Sequence, residues 1–316
     1  MAVAKETSFN LKGRDFITLH DFTADEIYYL LEVAESLKGK QKAGKPHPIL
    51  KGKTLGMIFT KSSTRTRVSF EVAMYQLGGA SLFLSERDIQ LGRGETIHDT
   101  AKVLSRYLDG IMIRTYSHDD VLELAEYADI PVINGLTDLL HPCQVLADLL
   151  TIKEYKGALS GLKLVYVGDG NNMAHSLMFG GAKMGMHVVI ASPEGYKPDE
   201  KIVQMAGEDA LRHGGTIEIC SDPMEAAKGA DVIYTDVWAS MGQEAEQAQR
   251  LRDFRGYQVN RKMVDLAHKD VIVMHCLPAH RGEEISAEVL DGPHSVVFDE
   301  AENRLHAQKA ILALLM

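Results

Sequence analysis

Short apolar runs of strand length alternate with stretches of helical period along almost the whole chain, and no other feature confines the fold as tightly. The run Thr54–Phe59 is followed by Phe70, Ala73, Met74 and Leu77, which fall at i, i+3, i+4 and i+7 of a helix that Gly78-Gly79 should stop. Further strands are predicted at 81–84, 110–115 and 131–133, with helices at 97–107 and 121–127 between them. A long helix over 138–155, introduced by His141-Pro142, leads to a second series of strands at 162–167, 188–191, 216–219, 232–235 and 271–274. Strands separated by helices pair in parallel with helices on both faces. The chain therefore reads as α/β, with two doubly wound parallel-sheet domains joined by long helices. Before the first series, Thr23 and Glu26 form a capping box for a helix carrying Ile27, Leu30, Leu31, Ala34 and Leu37 and ending at Gly39; an apolar-faced helix at 301–316 closes the chain.

A length of 316 residues suits two domains, placed at 1–150 and 151–300 by the change of series. A net charge of −10 argues against a nucleic-acid or anionic-membrane partner. No apolar stretch approaches the ~20 residues of a membrane span, and residues 1–22 hold no signal-peptide core, so a soluble cytoplasmic protein is expected. Cys143, Cys220 and Cys276 are widely spaced and form no C-x-x-C pair, which speaks against a disulfide framework; Cys143 and Cys220 read as packed. His275 and Cys276 are adjacent and would face opposite ways in a strand, and no H-E-x-x-H spacing occurs, so no required metal and no cofactor are expected.

Between the strand at 54–59 and the helix after it stands Lys61-Ser62-Ser63-Thr64-Arg65-Thr66-Arg67. One hydroxyl suffices to cap a helix; four hydroxyls and two guanidiniums at a helix start, where free N–H groups and the positive dipole end lie, suit a phosphate. Gly168-Asp169-Gly170-Asn171-Asn172-Met173 also follows a strand. It departs from the dinucleotide fingerprint, because Met173 replaces the third Gly and only the poorly placed Glu194 could serve as the ribose ligand. In His141-Pro142-Cys143-Gln144 the proline fixes a helix start, so that His141 and Gln144 could project from the first turn toward the same anion, although a lone His there is more often a cap or packed. Arg114 ends a strand, where open α/β sheets bind ligands. Asp236 and Ser240, in Asp236-Val237-Trp238-Ala239-Ser240-Met241-Gly242, offer a carboxylate and a hydroxyl for an ammonium group, with no added cation for a second carboxylate; the plain alternative is a loop with Trp238 in the core. Cys276 ends a strand beside polar and charged residues, a setting that can favour thiolate.

Taken together these motifs resemble the aspartate and ornithine carbamoyltransferases. Ser63-Thr64-Arg65-Thr66-Arg67 matches the carbamoyl-phosphate motif, His141-Pro142-Cys143-Gln144 the H-P-x-Q motif, and both the D-x-x-x-S-M-G stretch and His275-Cys276-Leu277-Pro278 are similar to signatures of the ornithine-using members. The matches run from Ser63 to Arg304, with no departure at a motif position. The resemblance implies carbamoyl-phosphate contacts from Ser63, Thr64, Arg65, Thr66, Gln90, Arg114, His141, Gln144, Cys276, Leu277 and Arg304. For ornithine it implies Asn172, Asp236, Ser240 and Met241, with Cys276, Asp236, His141 and Arg114 as the catalytic groups. It also implies an active site in an interdomain cleft, a C-terminal helix packed back on the first domain, formation of citrulline for arginine biosynthesis, and a homotrimer. In such a trimer Gln90, on the polar loop 85–95 with Gly92 and Gly94, would reach a neighbour's site. Transfer to putrescine or acetylornithine, or a non-catalytic binding protein, are the alternatives.

Overall fold

The computed structural model describes residues 9–90 and 94–316. The chain divides into two compact units. The first takes the described residues up to Ile17, then Asp21–Thr137 and Leu305–Met316; the second takes Thr18–His20 and Asp138–Arg304.

In the first unit α1 (Ala24–Lys42) precedes β1 (Thr54–Phe59), α2 (Thr64–Gln76), β2 (Ala80–Ser85), α3 (Ile97–Leu104), β3 (Gly110–Arg114), α4 (His118–Tyr127) and β4 (Val132–Leu136). The strands form a parallel sheet in the order β2-β1-β3-β4. Ile58, Ile111, Ile113 and Val132 meet Ala101, Val121 and Leu124 from α3 and α4 in one core. The capping box opens α1 as expected, but the helix runs through Gly39 to Lys42. Gly39 is no stop because the left-handed backbone comes later, at Gly44, with φ 64°. Gly78, at φ 80°, does end α2. The helix expected to reach 107 stops at Leu104, where the Ser105 hydroxyl donates to the Ala101 carbonyl and the chain turns.

The second unit contains α5 (Pro142–Lys156), β5 (Lys163–Val167), α6 (Asn172–Lys183), β6 (His187–Ala191), α7 (Glu200–His213), β7 (Thr216–Cys220), α8 (Pro223–Ala227) and β8 (Val232–Thr235). After these come α9 (Gln247–Asp253), α10 (Arg261–Val264), β9 (Ile272–His275) and α11 (Ala287–Leu290). The last helix, α12 (Val297–Leu315), starts four residues before the expected 301, and its residues from Leu305 onward group with the first unit. The sheet is again parallel, in the order β7-β6-β5-β8-β9. Val165, Ile233 and Val273 pack with Trp238, Phe254 and Val297 in its core.

The long helix begins at Pro142, not at 138, because proline lacks the N–H that a helix interior would need. Every α5 residue from Pro142 through Ile152 is buried, and α5 packs against α6. Grouped by contacts, α5 falls in the second unit, which takes up the chain at Asp138 where the first leaves it at Thr137. Among the described residues no helix is long and apolar enough to cross a membrane.

Candidate active site

In an open parallel sheet a ligand site forms outside the carboxyl ends of two adjacent strands whose connections leave in opposite directions. Each unit has one such place. In the first, β1 leads outward to β2 and the chain then returns to β3 on the other side of β1, so the segments after Phe59 and Arg114 flank the crevice. In the second, β5 leads to β6 and β7 on one side while β8 and β9 lie on the other, so the segments after Val167 and Thr235 flank it.

At the first crevice the backbone is stapled. The N–H groups of Thr60 and Lys61 donate to the Arg114 carbonyl at 3.0 and 3.4 Å, and Arg114 Nε donates back to the Lys61 carbonyl at 3.2 Å. These bonds fix a buried Arg114 against the phosphate-type loop. Lys61 is buried too, its Nζ 4.8 Å above the Tyr116 ring. Ser63 caps α2: its Oγ accepts from Thr66 N at 3.2 Å and donates to Thr66 Oγ1 at 3.2 Å. The plain capping role is therefore real for Ser63, while Thr64, Arg65 and Thr66 form the first turn, Arg65 half-buried and Thr66 buried. The second guanidinium of the run does not join them. Arg67 Nε pairs with Glu71 Oε1 at 2.9 Å, and its guanidinium lies 3.7 Å from the Phe83 ring centroid. Seven residues of spacing could not show this, because side chains at i and i+4 meet on one helix face.

Gln90 follows the turn after β2 and lines a recess of about 230 Å³ with Leu84, Ile89 and Val103. Gly92, expected in the same loop, lies outside the described residues.

At the second crevice Gly170 explains the Gly-x-Gly look of the loop after β5. A Cβ there would come 2.2 Å from Pro198 N, and Gly170 N donates to the Tyr196 carbonyl at 2.8 Å. Close backbone approach, rather than a pyrophosphate, demands the glycine. Asn171 caps α6 through Oδ1, which accepts from Met173 N at 2.9 Å and Ala174 N at 3.3 Å and from the Tyr166 hydroxyl at 3.2 Å. Its Nδ2 donates to Asp236 Oδ2 at 2.9 Å across the crevice from the end of β8. Asp236 Oδ1 accepts from its neighbour Val237 N at 2.8 Å and from Cys276 Sγ at 3.0 Å, Cys276 being the first residue beyond β9. Asn171, Asp236 and Cys276 are thus gathered beyond the carboxyl ends of β5, β8 and β9, and Asn172 is the next residue on, the first of α6.

The thiolate expectation for Cys276 is corrected here. Burial, and after it the carboxylate of Asp236, push the Cys276 thiol well above its ordinary range, so it is a neutral S–H donor. Cys143 is buried and raised to about 12 by desolvation, and Cys220, half-buried at the end of β7, packs against the core of the second sheet. Asp236, His275 and Cys276 bring one ligand atom each within 4.8 Å of one another, closer than strand alternation suggested. Both imidazole nitrogens of His275 are engaged, however. Nδ1 accepts from Leu277 N at 2.8 Å, which leaves Nε2 to donate to Glu284 at 2.9 Å, so His275 buttresses the strand end. Leu277, at φ 56°, holds a left-handed conformation that costs a branched residue on the order of 1–3 kcal/mol and is typical of functional loops.

Ser240 and Met241 lie farther along the loop after β8. Ser240 N donates to Gln243 Oε1 at 3.0 Å, and Met241 is exposed. The loop is pinned by Trp238, which stacks on Phe254, and by Arg250, whose Nη1 donates to the Trp238 carbonyl at 2.8 Å and to Asp169 at 2.7 Å. Trp238 is therefore core, as the plain reading had it.

His141, at the start of α5, has its N–H held by Ser176 Oγ at 2.7 Å. One turn on, Gln144 belongs to a buried polar network. Its Oε1 accepts from Arg304 Nη1 at 2.7 Å, and its Nε2 donates to Asp148 Oδ1 at 2.8 Å and Glu300 Oε1 at 3.1 Å. Glu300 Oε1 also accepts from the Tyr234 hydroxyl at 2.9 Å, and Oε2 from His275 N at 2.9 Å. Burial raises Asp148 to about 7 and Glu300 well above the carboxylate range, and the two carboxyl groups meet at the Gln144 amide nitrogen that both accept from. Sequence reasoning missed Asn171, Asp148, Glu300 and Tyr234. Asn171 was visible as an N-cap, and the lone acid Asp148 inside an apolar helical run was a signal too, since buried charges are rare without partners.

Residues 14–154 match the family described as aspartate/ornithine carbamoyltransferase, carbamoyl-P binding domain, and residues 160–315 match its Asp/Orn binding domain. The chain is 66% identical to an ornithine carbamoyltransferase of Oceanobacillus iheyensis over 97% of its own length and 95% of that protein's. It is 62% identical to an anabolic ornithine carbamoyltransferase of Pyrococcus furiosus, covering 97% and 98% of the two chains. The solved structure of ornithine carbamoyltransferase from Pyrococcus furiosus superposes with a TM-score of 0.96 at 61% identity, over 98% of this chain and 99% of that one. With both domains matched and nearly every residue covered, the chain belongs to the aspartate/ornithine carbamoyltransferase family.

Proposed function

We propose that this protein transfers the carbamoyl group of carbamoyl phosphate to the side-chain amine of L-ornithine, giving L-citrulline and phosphate for arginine biosynthesis. The observation that carries the reading is the Asn171–Asp236–Cys276 constellation at the second crevice. It presents one carboxylate with every neighbouring donor neutral, which suits an ammonium or amine and not a second carboxylate. Relatives above 60% identity that carry the ornithine carbamoyltransferase name support the same acceptor.

The reaction makes three demands. The phosphate leaving group needs N–H donors and cations, the roles we assign to the helix start at Ser63, Thr64 and Thr66 and to the Arg65 guanidinium. The carbonyl oxygen gains negative charge as the amine attacks, and Thr66, Arg114 and His141 are assigned to it, with Gln144, Leu277 and Arg304 fixing the rest of the carbamoyl group. Ornithine's side-chain ammonium, with a solution pKa near that of lysine at ~10.4, must lose a proton before its lone pair can attack. Because Cys276 is a thiol, that proton passes to water as the substrate docks; Cys276 holds Asp236 in place, and Asp236 with Asn172 receives the amine. A C–N bond then forms to the carbamoyl carbon, the C–O bond to phosphate breaks, and the departing phosphate takes the extra proton from the nitrogen, leaving the neutral ureido group of citrulline. No covalent enzyme intermediate is needed, since orientation of the two substrates supplies much of the rate.

A homotrimer in which Gln90 serves the neighbouring subunit's site, and a cytoplasmic location, complete the proposal. The test is citrulline formation from carbamoyl phosphate with ornithine, putrescine, acetylornithine and aspartate side by side. Ornithine should be used at least a hundredfold more efficiently than the others; preferential use of putrescine or acetylornithine, or binding without turnover, would overturn the reading.

A further inference from the structure

A primary amide is nearly symmetric in shape but not in chemistry, so a glutamine that reads a ligand needs something to decide which end faces it. Gln144 is decided at both ends. Its Nε2 faces two carboxyl oxygens, Asp148 Oδ1 at 2.8 Å and Glu300 Oε1 at 3.1 Å, while its Oε1 faces the Arg304 guanidinium at 2.7 Å. Reversing the amide would set oxygen against two carboxyl oxygens and N–H against a cation, losing three hydrogen bonds at a site that is 1% exposed.

We propose that the Asp148–Glu300 carboxyl pair is a positioning device that locks the Gln144 amide so that its carbonyl, not its NH2, is presented to the amino group of carbamoyl phosphate. The proposal rests on the reading of Gln144 as a carbamoyl contact.

Its consequence is chemical discrimination. The carbamoyl NH2 is a donor and requires an acceptor. The methyl group of acetyl phosphate, otherwise the same shape, offers no donor and leaves the acceptor unpaired. The two carboxyl groups share one buried amide nitrogen, and burial raises both of them, which favours a proton on the pair over two full charges side by side. The charged and titratable groups around the pair are Arg304 on α12, Tyr234 on β8, and Cys276 and Asp236 beyond β9 and β8. Glu300 is itself anchored independently of Gln144 by Tyr234 OH and His275 N, so this half of the lock is held by the sheet, while Asp148 acts from α5 itself, one turn beyond Gln144.

The experiment measures the inhibition constant of acetyl phosphate against the affinity for carbamoyl phosphate in the full-length enzyme. The variants are Glu300→Gln, Gln144→Ala and the double variant. Glu300→Gln replaces an acceptor with a group that can turn an N–H toward Gln144, and it should shrink the acetyl-to-carbamoyl ratio by roughly tenfold or more. Gln144→Ala should shrink it similarly, and the double variant no further, because Glu300 acts through Gln144. A general loss of structure would weaken both ligands together and leave the ratio in place. Asp148→Leu, close in shape and without acceptors, carries the same expectation should the Glu300 variant fail to fold. An unchanged ratio in the Glu300 and Asp148 variants beside a reduced one in Gln144→Ala overturns the positioning device while sparing the role of Gln144. An unchanged ratio in Gln144→Ala overturns that role and the inference with it.

Discussion

Asn171 does two things with two ends of one amide, and Asn171→Asp separates them. The capping oxygen that accepts from Met173 N and Ala174 N is kept, and a negative charge at a helix N-terminus is favourable by a few tenths to ~1 kcal/mol, so α6 should be as stable as before. The other end changes from a donor to an oxygen 2.9 Å from Asp236 Oδ2. Two full charges at that distance, in an effective dielectric of ~20, repel by about 6 kcal/mol. That exceeds the cost of binding a proton near neutrality, so the two carboxyl groups will share one. Asp236 then no longer offers a full negative charge to the amine. Losing a hydrogen bond to a charged partner is worth about 1.5–3 kcal/mol, so kcat/KM for ornithine should fall roughly 10- to 100-fold at pH 7.5. The assay is initial-rate citrulline formation with ornithine varied at saturating carbamoyl phosphate, beside a thermal melt. A kcat/KM for ornithine within about threefold of the parent, in a protein with an unchanged melt, would refute the assignment of Asn171 as the residue that sets Asp236.

Arg65→Ala should reduce citrulline formation to background with the melt shifted by less than about 0.5 kcal/mol, and activity above about a tenth of the parent would contradict the phosphate assignment. Cys276→Ser should lower kcat far more than it alters carbamoyl-phosphate affinity, and alkylation of Cys276 by iodoacetamide, followed residue by residue by mass spectrometry, should keep accelerating above pH 9 because its thiol is raised by burial and Asp236. Lys309, fully buried among Gln41, His47 and Gln76, is lowered by desolvation to about 8. The unfolded chain therefore binds more protons than the native one between about pH 8 and 10.5, and the parent gains stability as pH rises through that window. Denaturant titrations should show Lys309→Met losing roughly 3 kcal/mol relative to the parent from pH 7.5 to 10.5, and parallel pH curves would refute it. Finally, Arg65→Ala and Gln90→Ala proteins, mixed under subunit exchange, should regain about a quarter of active sites if Gln90 acts on a neighbour. Mass-tagged subunits that scramble without a gain in activity would place its action elsewhere.

The sequence by itself determined the elements and the chemistry of the motifs. Short apolar runs located every strand of both sheets to within a residue or so at most ends, because burial on both faces leaves a central strand such as β3 or β8 few polar choices. That Ser63–Arg65 stand at a helix start and Arg114, Asp236 and Cys276 at strand ends was legible because local periodicity fixes where strands stop and helices begin. Tertiary structure decided what surrounds them. Whether Arg67 faces the phosphate loop or Glu71, whether the Gly-x-Gly loop serves a nucleotide or the backbone at Pro198, and whether Cys276 is thiolate or thiol all depend on neighbours distant in the chain. Which unit α5 groups with by contact was not legible for the same reason, since a helix buried on every side carries no stripe to say which unit it joins. The pairing of Asn171 with Asp236 spans 65 residues, and that of Gln144 with Glu300 spans 156. Protonation belongs to this second class throughout, because the energy of a charge is set by how much water is removed and by which charges remain nearby, and neither is written in the order of the residues.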